Sequence, residues 1–180
     1  LVLVVVLFVL AFSDLIVGVS NDAVNFLNSA IGSKVAPRYV IMILASLGIL
    51  VGATFSSGMM EVARKGIFFP DQFYFSEIMI IFLAVMIADV ILLDTFNTFG
   101  LPTSTTVSIV FELLGAAVAV SIWKIMAAGD NLNTLGNYIN SSSAIIIITG
   151  IFASVFIAFL VGSLIQYFSR LLFTFHIENR

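Results

Sequence analysis

An all-α integral membrane protein with about five transmembrane segments is the fold class that this 180-residue sequence predicts. Hydrophobic residues make up 61% of the chain and charged residues 9%, with a mean hydropathy of +1.21, far from the balance of a soluble domain. The apolar residues fall into several runs of roughly 20, the length of helix that crosses a hydrocarbon layer. No stretch alternates apolar and polar residues at strand length, which argues against a membrane β-barrel. The chain has no cysteine, so disulfides and thiolate metal sites are excluded and no cofactor is expected. Seven basic residues, scattered singly or in pairs under a net charge of −3, leave no footprint for nucleic acid. The expected partners are the lipid bilayer, ions and small solutes, and the expected location is a cell membrane crossed several times.

The first segment runs from Leu1 to about Val19, interrupted late by Ser13 and Asp14. Apolar sequence begins at once, so a start downstream of a methionine or leader is expected. Leu1 to Leu10 lacks the preceding basic region of a signal peptide. From Gly18 to Ser33 the character changes, with Ser20, Asn21, Asp22, Asn25, Asn28, Ser29, Gly32 and Ser33 in one short stretch. This reads as unwound or re-entrant backbone. Helical spacing puts Asn21, Asn25 and Asn28 on one face, where their amide oxygens and the Asp22 carboxylate suit a hard cation such as sodium. A polar extramembrane loop ended by Lys34 and Arg38 is the other reading.

The second segment, from about Tyr39 to Met60, carries Gly48 and Gly52 at the small-xxx-small spacing that packs transmembrane helices, with Ser56, Ser57 and Gly58 further along. Glu61, Arg64 and Lys65 mark its exit to water. Gly66 to Glu77 holds Phe68, Phe69, Phe73, Tyr74 and Phe75, aromatic bodies expected to lie along the membrane surface. The third segment, about Ile78 to Phe96, includes Asp89 and Asp94 with no basic residue beside them. Intramembrane carboxylates are costly and are functional candidates by default. For Asp89 the expectation is a packing role, while Asp14, Asp94 and Glu112 receive no role from pattern alone.

Gly100-Leu101-Pro102 should break the helix, because proline lacks the backbone donor and clashes with the preceding turn. A restart after Pro102 leaves the first-turn amides near Ser104, Thr105 and Thr106 without intrahelical acceptors, at the positive end of the helix dipole. Such a start at membrane depth offers an anion site, a device known in secondary transporters. A Pro-Ser-Thr kink packed against neighbouring helices accounts for the same residues. The fourth segment, about Ser104 to Ala128, carries Glu112 two turns in and Lys124 near its end, expected to snorkel past Trp123 to the headgroups. Gly129 to Ser143 reads as a wet surface loop. A fifth apolar segment, about Ala144 to Phe168, leads into an interfacial amphipathic tail, Tyr167 to Arg180, containing His176. Basic residues flank the second segment on both sides, so orientation stays open.

Two stretches taken together resemble the inorganic phosphate transporter (PiT) family. Asn21-Asp22-Ala23-Val24-Asn25, with Gly32-Ser33 at the same offset, is similar to the family's Gly-Ala-Asn-Asp-Val-Ala-Asn motif. Pro102 to Thr106 resembles its Pro-x-Ser-Thr-Thr-His motif, and Glu61 to Gly66 resembles the ending of its second span. The likeness covers about residues 18 to 115. Ser20 replaces an alanine, Val107 replaces the motif histidine, and Gly48 stands where many eukaryotic members have glutamate.

The resemblance implies cation-coupled phosphate symport with sodium or a proton as coupling ion, through a site where two inverted repeats meet. It implies that Asp22 lies close to the helix start at Ser104, Thr105 and Thr106 and that these four hold phosphate. Asn21, Asp22 and Asn25 are then the cation ligands. Each motif occurs once, so residues 1–180 read as one transporter repeat, the N-terminal half of a longer protein completed by a second repeat or a second chain, a homodimer included. A membrane structural or assembly subunit without transport is the competing reading. An enzyme is not expected, since no histidine lies near a candidate serine and no Gly-x-Ser-Gly or Gly-x-Gly-Asp element occurs.

Overall fold

A computed structural model describes residues 2–55 and 66–173. Five α-helices occur among them: α1 (Val2–Gly32), α2 (Arg38–Thr54), α3 (Phe75–Phe99), α4 (Thr105–Ala128) and α5 (Ser141–Phe173). Short 3-10 turns at Pro70–Gln72 and Leu132–Asn137 lie in the connections before α3 and after α4. Helices α1, α3, α4 and α5 are long and apolar enough to cross a membrane, which makes this a multi-pass membrane protein. The described part of α2 has 17 residues. The rest of the second predicted segment, with Ser56, Ser57, Gly58, Glu61, Arg64 and Lys65, lies outside the described residues, as do His176 and the end of the tail.

The predicted unwinding after Gly18 does not occur, and α1 continues as one helix of 31 residues. Several of its polar side chains find partners without breaking the backbone ladder. Ser13 and Ser20 donate to the carbonyls of Val9 and Ile16 one turn back, and Asn25 donates to the Oδ1 of Asn21. No proline lies inside the helix to force a break. α1 ends at Gly32, and Lys34, at a left-handed φ of 52°, turns the chain toward Pro37 and α2.

Helix α3 buries Glu77, Ile81, Val85, Asp89 and Leu93, every fourth residue, and α4 buries Val110, Leu113, Ala117, Ser121 and Ile125. These stripes are the faces along which helices pack, since i and i+4 side chains lie one above the other. α3 packs against both α1 and α4. Small side chains permit close approach: a Cβ built on Gly18 would stand only 3.9 Å from the Leu93 side chain, and Ala117 and Ser121 are fully buried. Gly48 and Gly52 behave differently. Both are exposed, with nothing within 4 Å of a built Cβ, so their small-residue spacing packs no helix among the described residues.

The aromatic connector before α3 does not simply lie along a surface. Ile67 and Phe68 are buried and meet the loop after α4: Phe68 and Ile139 form an isolated antiparallel bridge, the Phe69 amide donates to the Tyr138 carbonyl, and the Asn140 amide donates to the Ile67 carbonyl. Phe68 and Phe73 stack edge to face, as do Phe73 and Tyr138. Lys124 does not reach for headgroups either. Its ammonium donates to Glu77 Oε2 at 2.8 Å and to the Gln72 carbonyl at 2.9 Å, and sits 4.5 Å from the centre of the Tyr74 ring. α5, described by itself, is apolar on most of its surface and carries no charge before Arg170.

Candidate functional site

The predicted break between α3 and α4 is present. Gly100 ends α3 in the left-handed conformation with φ 65°, its amide donating to the Asn97 carbonyl, and the Leu101 amide donates to the Phe96 carbonyl. Pro102 cannot extend the ladder, and the chain runs irregularly to Ser104. Ser104 is the N-cap of α4, its hydroxyl accepting from the Val107 amide at 3.4 Å. That long contact satisfies one of the four amides a helix start leaves open. The Thr105 and Thr106 amides belong to the same first turn and stay outside the intrahelical ladder.

Both motifs come together here. Asn25 Nδ2 donates to the Thr103 carbonyl at 2.7 Å, holding the irregular segment against α1. Thr105 Oγ1 donates to Asp22 Oδ1 at 3.4 Å, which places the α1 carboxylate beside the start of α4. Asn21, only 2% exposed, donates to Asn97 Oδ1 at 2.9 Å, while Asn97 Nδ2 contacts the Val17 carbonyl at 3.4 Å. Of the sequence candidates, Asn21 and Asn25 share one network with Asn97 and the Thr103 carbonyl, Asp22 and Thr105 pair beside it, Ser104 caps α4, and Thr106 is exposed on the first turn of α4. Asn28 is exposed and does not join the Asn21–Asn25 contact.

Asn97 is the participant that sequence reasoning passed over. Its signal was an amide one turn before the helix-ending glycine, facing an apolar environment where a polar side chain needs a partner. The amide oxygens also behave differently from the expectation. Asn21 Oδ1 is occupied by Asn25, so Asn21 acts as a link in a side-chain chain as much as an open oxygen donor. Among the described residues no group of three or more His, Cys, Asp or Glu is spaced to hold a metal ion. A cavity of about 200 Å³ lies against the network, lined by Asp14, Gly18, Asp22, Asp89, Leu93 and Thr105 among others.

The arrangement sets an incompletely capped helix start beside a carboxylate. Helix-start amides and hydroxyls donate to an anion. The Asp22 carboxylate beside this helix start, when ionised, can only accept a hydrogen bond.

Comparisons with known proteins agree on a family. The sequence profile described as the phosphate transporter family matches residues 18–179. A protein of Thermococcus kodakarensis named as a phosphate permease is 30% identical over 124 residues, covering 68% of this chain and 30% of that protein. Similarly named proteins of Pyrococcus furiosus and Pyrococcus abyssi are 31% identical over 101 residues and 28% identical over 124, covering 55% and 68% of this chain. The chain spans between 24% and 31% of the length of these relatives. No solved structure matches.

Proposed function

The chain belongs to the phosphate transporter family, and from that premise we propose that it is one repeat of a cation-coupled symporter for inorganic phosphate. In this reading Asp22, Ser104, Thr105 and Thr106 hold the anion, and Asn21, Asp22 and Asn25 face the coupling cation, sodium or a proton. A second inverted repeat, in the same protein or a second chain, completes the site. The observation that carries the reading is the 3.4 Å contact between Thr105 and Asp22, two residues 83 positions apart that bring the two motifs to one point.

A carboxylate beside an anion selects as well as repels. Phosphate near neutral pH retains a proton and can donate a hydrogen bond to ionised Asp22, whereas sulfate only accepts and meets unrelieved repulsion. Specificity then comes largely from rejecting the wrong anion. A cation at the neighbouring oxygens offsets the remaining charge, so cation and phosphate raise each other's affinity by the same factor.

The test is labelled-phosphate uptake into proteoliposomes containing the protein at its natural length, with sulfate as competitor. The expected outcome is strong preference for phosphate, and in Asp22→Asn the loss of much of that preference together with weaker cation dependence. Equal competition by sulfate in the unsubstituted protein, or unchanged selectivity in the variant, would remove the carboxylate from this role. No uptake under any cation gradient would favour the structural-subunit reading instead.

A further inference from the structure

Asp14 lies about two helical turns from Asp22 along α1, and the helices packed around it carry two further carboxyls, Asp89 on α3 and Glu112 on α4. Asp14 on α1 and Asp89 on α3 line one cavity, Glu112 on α4 is half-buried and interacts electrostatically with both, and the function proposed above uses none of them. Asp89 is only 2% exposed. Oδ1 of Asp14, Oδ1 of Asp89 and both carboxylate oxygens of Glu112 are buried without a hydrogen-bond donor among the described residues. Asp14 and Asp89 line the 200 Å³ cavity whose other wall is Asp22 and Thr105, so the orphaned, buried carboxyl of Asp89 opens on space that leads to the motif residues.

Among the described residues, the helices that carry these carboxyls supply no counter-charge to them. α1 and α3 contain no lysine or arginine, and on α4 the one basic residue, Lys124, lies twelve positions beyond Glu112 and is paired with Glu77. Lys34 and Arg38 stand at the turn between α1 and α2, twenty residues or more from Asp14 along the chain. Asp22 faces the cavity from its other side, and Asp94 is exposed on α3. Two ionised carboxylates are acceptors only and cannot bond to each other. One proton turns either into a donor and removes the repulsion. A proton is a ligand that two neighbouring acceptors can share without any further donor.

We propose that Asp14, Asp89 and Glu112 form a proton-binding site separate from the residues assigned to phosphate, with Asp14 and Asp89 sharing one proton that exchanges through the cavity toward Asp22 and Thr105. Glu112 tunes the pair by its charge. That the bound proton moves with phosphate rests on the transport reading; that it is bound does not.

Infrared difference spectroscopy of the natural-length protein in sodium-free nanodiscs, titrated with pH, tests the binding directly. The expected result is the carbonyl stretch of a protonated carboxylic acid at neutral pH, lost in Asp89→Asn and displaced along the pH axis in Glu112→Gln. Circular dichroism checks the fold of each variant, and Asp14→Asn gives the same reading should Asp89→Asn misfold. Absence of the band at neutral pH, a band that survives both aspartate substitutions, or a band that added sodium removes at fixed pH would each overturn the site. In proteoliposomes, Asp89→Asn should lose the response of phosphate uptake to an imposed pH gradient, and a full response overturns the coupling role. No uptake by the unsubstituted protein counts against the transport reading, while the infrared result still decides the site.

Discussion

The two ends of the α3–α4 pair carry polar networks built on opposite terms. At the end holding Lys124, the ion pair is fully complemented: Glu77 Oε2 takes the ammonium at 2.8 Å and the Tyr74 amide at 2.7 Å, and the Gln72 carbonyl takes a second ammonium proton. The rings of Phe73, Tyr74 and Tyr138 surround the cation. At the other end the groups are only partly satisfied. The Ser104 cap and the Thr105–Asp22 contact are both at 3.4 Å, and the carboxyls of Asp14, Asp89 and Glu112 hold buried oxygens without donors. A closed network fixes the connector and loop onto the helix ends. An open one leaves capacity for a ligand, which is why the two regions should respond differently to substitution.

The largest expected effect on stability belongs to the closed end. Lys124→Met strips a mostly buried carboxylate of its partner and should destabilise by about 2 kcal/mol, below the cost of breaking a fully buried pair because the lysine remains partly exposed. Unfolding followed in detergent micelles checks this, and adding Glu77→Gln should return part of the loss. Asp22→Asn in the same assay should stay within about 0.5 kcal/mol, because its one long hydrogen bond contributes little. A larger loss there would mean that the open end is structural after all.

A matched pair of glycines sharpens the contrast. Gly100 and Gly129 end α3 and α4 with φ of 65° and 72°, and a Cβ on either would meet nothing within 4 Å. Alanine at either position should therefore cost about 1 kcal/mol through backbone strain alone. Only Gly100→Ala should also weaken phosphate uptake, since only Gly100 sets the path of the chain to Ser104. Equal effects of both substitutions on uptake would dissolve the distinction between the ends.

A small effect is also expected at Ser104. Its cap is long, so Ser104→Ala should cost about 0.5 kcal/mol, at the low end for an N-cap. Phosphate affinity should fall by more than that stability change, and Ser104→Thr should restore it. Affinity measured by uptake kinetics decides: an unchanged value would leave the hydroxyl as a cap and nothing else.

Much of this architecture was legible in the residues themselves. Apolar run length placed the spans near Phe75–Phe99, Thr105–Ala128 and Ser141–Phe173, and Gly100 with Pro102 marked the break, because left-handed tolerance and a missing amide belong to the residue and not its neighbours. The same local reasoning misjudged α1. Asparagines and serines suggest irregular backbone when read alone, yet Ser13, Ser20, Asn21 and Asn25 bond one turn away or across the helix interface, and the helix persists through Gly32.

What the tertiary structure decided was the choice of partner. Asn21 with Asn97, Thr105 with Asp22 and Lys124 with Glu77 join residues 47 to 83 positions apart. The rotation and register that bring them together are poorly encoded in helices apolar on every side. A soluble helix declares its buried face by contrast with a polar one. Here lipid and protein interior are equally apolar, so the stripe from Glu77 to Leu93 on α3 carries little signal of its own, and which polar side chains turn inward is set only when α1, α3 and α4 pack.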